Sequence, residues 1–305
     1  MQYIQHLEDY NEPLQSAVTL GKFDSLHKGH QKLLRKVCEL SDSQVKSVVL
    51  AIDMRSFKER NHLPIEQLLL NKERKEHLEG IVDYLVECPL TTSFQQLSPE
   101  EFIETILVQT LHARYVVVGS DYRFGYQAKG NIETLKAYAK QFQYEVIVIE
   151  KETYKGREIS STYIKELLQQ GDVHTVNALL GYAYTFQGEV VHGKKLGRTI
   201  GFPTMNIVPE HGKLIPARGV YWCQVEIDGM KQYGICNIGN NPTIATGQHI
   251  KLEVHAFELE EEVYGKQIKV SLLEFIRPEK KFNTIEELKE QITTDTAVAK
   301  KYIYN

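Results

Sequence analysis

His27 and His30, separated by Lys28 and Gly29 within GKFDSLHKGH (residues 21–30), have the type and spacing for chemistry on a phosphorus centre. Imidazole N–H groups donate to charge developing on phosphate oxygens, and Gly29 lets the backbone approach closely. Residues 14–20 read as a short buried strand, and Leu33, Leu34, Val37 and Leu40 recur at helical spacing. The motif is therefore a strand-to-helix crossover. A helix start offers unpaired N–H groups and the positive end of the dipole, both suited to phosphate. Taken alone, the two histidines read equally well as caps on a surface helix. A metal centre is disfavoured, because no third His, Cys or carboxylate has matching local spacing.

Four further stretches carry polar groups in telling order. GSDYRFG (119–125) follows the apolar run RYVVVG, at the carboxyl end of a strand where parallel sheets bind ligands. Asp121 there can accept from a ribose or amine, and Tyr122 or Phe124 can stack on a planar ring; a loop-capping aspartate and a core ring are the other readings. In ISSTYIKELL (159–168), Ser160, Ser161 and Thr162 form a second helix start with hydroxyl and backbone donors, and Lys165 adds charge one turn in. GRTIGFPTMN (197–206) sets Thr204 and Asn206 two apart behind Pro203, on one side of an extended segment. A hydroxyl and an amide oxygen suit Mg²⁺; a structural turn is the alternative. LEVHAFE (252–258) puts Glu253 and His255 on one strand face, where a carboxylate can deprotonate a hydroxyl.

The elements that must position these groups fall into two patterns. Strand signals at 47–53, 82–88, 114–119 and 144–150 alternate with helical stretches at 65–78, 99–112 and 131–142. Ser98, Pro99 and Glu101 spell a capping box. Such alternation implies an α/β domain, a parallel sheet covered by helices. From residue 183 the signals become strand and turn, with Asp228-Gly229 marking a hairpin, until a last helix capped by Thr284 and Glu287. The expected organisation is an α/β domain over 1–182 and a β-barrel with one terminal helix over 183–305.

Bulk properties narrow the classes. The 305 residues are 42% hydrophobic and 25% charged, as in an ordinary globular protein. A net charge of -4 disfavours nucleic acid as a partner. No segment reaches membrane-spanning length, the N-terminus lacks a signal-peptide core, and four scattered cysteines without a CxxC pair suit a reducing compartment. A cytoplasmic protein with no membrane partner is expected.

In order along the chain, GKFDSLHKGH, VVVGSDYRFG, ISSTYIK, GRTIGFPTMN, NIGNNPT and LEVHAFE resemble the prokaryotic bifunctional riboflavin kinase/FMN adenylyltransferase, or FAD synthetase, family. The similarity runs from about residue 15 to 303. The GFPTMN and NIGNNPT pair is specific to the kinase module; HKGH alone marks the wider nucleotidylyltransferase superfamily. The resemblance implies a Rossmann-like first domain and a riboflavin kinase barrel. It implies ATP and Mg²⁺ as co-substrate and cofactor, riboflavin, FMN and FAD as flavin partners, and ADP and pyrophosphate as further products. It places Glu253 as the kinase base, Thr204 and Asn206 on Mg²⁺ and phosphates, and His27 and His30 on the ATP phosphates with Ser160, Ser161, Thr162 and Lys165. Gly21, Phe23, Asp24, Gly29, Asp121, Arg123, Phe124, Gly201 and Pro203 would line the nucleotide and flavin sites. The chain departs from the family pattern at Ser25 (Gly is usual), Lys165 (Arg), AIDMRSF at 51–57 (F-x-P-H-P) and Met205 (a small residue). Retention of one activity alone, or of binding without turnover, remains open at this point.

Overall fold

The structure is a computed structural model that describes residues 1–193, 197, 201–240, 250–259 and 262–304. The Arg198, Thr199 and Ile200 part of GRTIGFPTMN, and the Asn241, Pro242 and Thr243 part of NIGNNPT, lie outside the described residues. The chain divides into two compact units, Met1–Ser161 and Thr162–Asn305.

The first unit is a six-stranded sheet, all of whose pairings are parallel. Its strands are β1 (Gln2–Ile4), β2 (Gln15–Gly21), β3 (Val45–Asp53), β4 (Tyr84–Pro89), β5 (Ala113–Gly119) and β6 (Glu145–Ile149), in spatial order β1-β4-β3-β2-β5-β6. From β2 the chain builds outward on one side through β3 and β4, then returns to add β5 and β6 on the other. The reversal lies between β2 and β5, and a crevice opens there at the carboxyl ends of the strands. GKFDSLHKGH leaves β2 and GSDYRFG leaves β5, so topology alone brings both motifs to that crevice.

Several elements of the first unit differ from the pattern in the sequence. Strand β1 is short and pairs only with β4, too little to show as periodicity. Residues 55–60 form a short helix, α2 (Arg55–Arg60), after α1 (Lys28–Leu40). The helix expected over 65–78 begins only at Asn71, as α3 (Asn71–Leu78). Its start is fixed by Glu73, whose carboxylate accepts from the Leu70 N–H at 2.8 Å. The Ser98 capping box is present: the Glu101 N–H donates to Ser98 Oγ at 3.1 Å and the Ser98 N–H to Glu101 Oε2 at 2.8 Å.

A short antiparallel pair, β7 (Thr153–Tyr154) and β8 (Arg157–Glu158), follows β6 in the first unit; in the second unit, β9 (Tyr184–Val191), β10 (Met205–Ile207), β11 (Gly219–Ile227), β12 (Met230–Asn240), β13 (Ile250–Ala256) and β14 (Gln267–Pro278) close into an antiparallel barrel in the order β10-β13-β12-β11-β14-β9. Asp228 and Gly229 both have positive φ, 50° and 81°, the geometry of a two-residue hairpin turn whose twist matches that of its strands. Inward-facing Val225, Cys236, Ile238, Leu252, Val254 and Val270 fill the interior. The last helix in the chain (Ile285–Tyr304) buries Ala299 with Val220 and Ile235, and its Asp295 carboxylate takes three hydrogen bonds from Arg277. The helix Val173–Leu180 belongs with the barrel: the Asn177 side chain donates to the Leu272 carbonyl and accepts from the Tyr184 N–H, both at 2.8 Å. Residue 183 marks the change of period, whereas contacts divide the chain about twenty residues earlier.

Candidate active sites

His27 caps α1 with its ring, accepting the His30 N–H on Nδ1 at 3.2 Å. The two imidazoles stack with centroids 3.8 Å apart and planes 10° from parallel. Gly29 is what permits this: a Cβ there would stand 3.1 Å from the His27 ring. The Phe23 ring meets His30 from another direction at 5.0 Å. Burial pushes the His27 pKa down to about 4. His30 is held well below its ordinary value by burial, then by His27 and the charge of Arg74. Both rings are therefore neutral at pH 7. Because His27 Nδ1 accepts, its proton sits on Nε2. His30 Nδ1 is buried without a hydrogen-bond partner among the described residues. A negative charge brought beside the two rings would raise both pKa values.

The sign of these shifts gives a stability prediction. An unfolded His27 takes a proton below about pH 6.5, which the folded one refuses until about pH 4. Stability is complete above the unfolded value and falls as pH drops between the two, by about 3 kcal/mol for His27. Heat unfolding at stepped pH should show the first unit weakening across that window. His27→Asn, which keeps a capping acceptor, should flatten the dependence.

The loop ahead of α1 is tied on several sides. Asp24 Oδ1 accepts the Leu68 N–H at 3.1 Å. Ser25 is fully buried, with its Oγ 3.1 Å from Ser161 Oγ. That contact joins the histidine loop to the start of the helix Ser161–Gln170, which Ser160 precedes and on which Thr162 and Lys165 follow. Gly21 ends β2 beside the Phe23 ring. Beyond β5, Asp121 is exposed and pairs with Lys151 at 2.9 Å, and Arg123 is exposed. Phe124 is placed differently from the ring-stacking role: it is 6% exposed, packed on Phe102 and Tyr122 over Gly130, whose Cβ would come within 2.8 Å of the ring. It is part of the core.

The barrel site is built on a strand pair. Asn206 on β10 lies directly across from Glu253 on β13, which on its other side faces Asn237 of β12. Leu252 and Val254 point inward, so Glu253 and its cross-strand partner Asn206 share the outer face. Asn206 is 6% exposed because Gly193 passes over it: a Cβ on Gly193 would fall 2.2 Å from Asn206 Nδ2. One on Gly197 would stand 3.2 Å from Thr204 Oγ1. The two glycines leave a cradle over one hydroxyl and one amide, hard oxygen donors that fit Mg²⁺ better than a softer metal. Among the described residues no group of three or more His, Cys, Asp or Glu could hold a metal ion. Pro203 is anchored through its carbonyl, which accepts from His255 Nδ1 at 2.9 Å, and Gly201 takes φ 87° in the preceding turn. Burial, with the charge of Lys300, lowers the His255 pKa, so this ring is neutral with its proton on Nδ1.

The sequence reading missed Arg74, Glu87 and Asn71. Arg74 and Glu87 are buried and Asn71 is half-buried; Asn71 and Arg74 sit in a charged run that resembles a solvated helix face, and Glu87 sits in an apolar strand.

A parallel sheet with a phosphate-ready helix start at its switch point, joined to a closed barrel with a carboxylate beside an oxygen cradle, defines a two-module protein of the nucleotide-transferring class. The family model for FAD synthetase matches residues 9–163, and that for riboflavin kinase matches residues 180–303. A bifunctional riboflavin kinase/FMN adenylyltransferase of Haemophilus influenzae is 35% identical, over 99% of this chain and 99% of its own. One of Listeria monocytogenes is 34% identical, over 92% and 90%. A crystal structure described as a macrolide-efflux protein from Streptococcus pneumoniae superposes with a TM-score of 0.89 at 32% identity, covering 98% of each chain. Among the described residues no helix is long and apolar enough to cross a membrane. The chain belongs to the bifunctional riboflavin kinase/FMN adenylyltransferase family.

Proposed function

We propose that the chain makes FAD in two steps, phosphorylating riboflavin with ATP in the barrel and then transferring AMP from a second ATP to FMN in the α/β unit. In the first, Glu253 accepts the proton of the ribityl 5′-hydroxyl as that oxygen attacks the γ-phosphorus and ADP leaves. Thr204 and Asn206 would hold Mg²⁺, which neutralises phosphate charge when bound. In the second, the FMN phosphate attacks the α-phosphorus and pyrophosphate departs. His27 Nε2–H, His30 and the start of α1 stabilise the charge that develops, and Ser160 and Ser161 cradle phosphate oxygens. No covalent enzyme intermediate is needed, so positioning and electrostatics supply the rate.

The observation that supports this reading is that the stacked His27 and His30 rings lie in one compact unit of the chain and the paired Asn206 and Glu253 in the other. Four cysteines without a disulfide support a cytoplasmic setting. Incubation with riboflavin, ATP and Mg²⁺ should yield FMN and then FAD, and chelation of Mg²⁺ should stop both. FMN that accumulates without FAD, when FMN is also supplied directly, would overturn the second step.

A further inference from the structure

Arg74 is 1% exposed, and its guanidinium meets four different groups. Nε and Nη2 donate to the two carboxylate oxygens of Glu87 at 3.1 and 2.8 Å, and Nη2 also to Asn71 Oδ1 at 2.7 Å. Nη1 donates to the carbonyls of Lys22 and Phe23 at 3.1 and 3.2 Å. Both carbonyls belong to the loop between β2 and α1. That loop is strained: Phe23 and Leu26 have φ of 43° and 45°, in the left-handed region that side chains with a Cβ disfavour. Something must hold it, and the fork of Arg74 grips it at its first bend. From Phe23 the contact continues to His30 and from His30 to His27. On the other side, Asn71 Nδ2 donates to Asp53 Oδ2 at 3.1 Å, and Asp53 in turn binds Arg55. The altered 51–57 segment thus joins the same network. A buried ion pair is a poor stabiliser beside apolar residues of equal volume, so stability alone does not account for this one.

We propose that Arg74 is a positioning residue for adenylyl transfer: it pins the Lys22 and Phe23 carbonyls so that the Phe23 ring sets His30 against His27, with Glu87 as its counter-charge. This rests on His27 and His30 being the adenylyl-transfer pair. Lysine at position 74 keeps the charge but not the planar fork, and cannot meet the carboxylate and both carbonyls together.

The test uses the full chain, with supplied FMN and ATP, and riboflavin phosphorylation by the same preparation as a reference. Arg74→Lys should lower kcat for FMN adenylylation about tenfold or more while KM for ATP moves less than about threefold. Riboflavin phosphorylation should not change. The double variant R74M/E87L removes both charges; it should unfold near the wild-type temperature and still lack kcat. Wild-type kcat in either variant overturns the proposal. Where both fail to fold, Phe23→Leu breaks the same chain of contacts without touching the ion pair, and it too must lose kcat; wild-type kcat there is equally fatal. His30→Ala is measured alongside. If it retains full FMN adenylylation, the reading of the histidines fails; if it is inactive while the Arg74 variants are fully active, only the positioning role fails.

Discussion

Glu253→Gln should end riboflavin phosphorylation, with kcat lower by about 10²–10⁴-fold, the range that a positioned general base contributes. Supplied FMN should still become FAD. The substitution is nearly isosteric, so the β10 and β13 pairing that aligns Asn206 with residue 253 is kept, and the side chain lies on the outer face where no core packing is lost. What disappears is the ability to take a proton. An amide oxygen can accept a hydrogen bond from the 5′-hydroxyl, so KM for riboflavin should move much less than kcat. Quenched time courses that separate riboflavin, FMN and FAD read both effects in one experiment. Loss of both activities in folded protein would contradict the assignment of separate sites.

That site was more legible in the sequence than the one beneath the histidines, for a physical reason. Thr204 with Asn206, and Glu253 with His255, are near neighbours in extended chain, where side chains alternate with a period of two and faces can be assigned by counting. The crossover into α1 is legible too, because Leu33, Leu34 and Val37 do bury one helix face. Arg74 and Glu87 are not: they stand 13 residues apart on a helix and a strand, and only the sheet order brings them together. The apolar run before α3 misleads in the opposite sense. Leu68, Leu69 and Leu70 are buried, but in irregular chain, where the Leu68 and Leu70 N–H groups go to Asp24 and Glu73 instead of to a helix. Phe124 shows what a loop motif cannot specify, since the choice between ligand stacking and core depends on Gly130 and Phe102 across the fold. Ser25 gains a reason: its hydroxyl meets that of Ser161 at a helix start, a contact a glycine could not make.

His30→Ala should produce the reciprocal result, with FMN accumulating from riboflavin and adenylylation of supplied FMN lowered by about 10²–10³-fold, the cost of removing one preorganised donor to a transition-state oxyanion. The ring is held on two faces, by His27 and by Phe23, yet its Nδ1 has no partner among the described residues. A buried polar atom left so is costly unless a ligand completes it. Alanine also removes the stacking partner of His27, whose capping bond uses the His30 backbone N–H and therefore survives. The helix start should remain formed, and the loss should appear in kcat more than in unfolding temperature. His30→Gln restores a donor without the flat ring that packs on His27. Recovery of part of the rate by glutamine would assign the effect to hydrogen bonding, and no recovery to the placement of His27. The barrel carries its own core, so riboflavin phosphorylation in these variants should match wild type. A parallel fall in that rate would show that the histidines serve the fold of the chain and not the transfer of AMP.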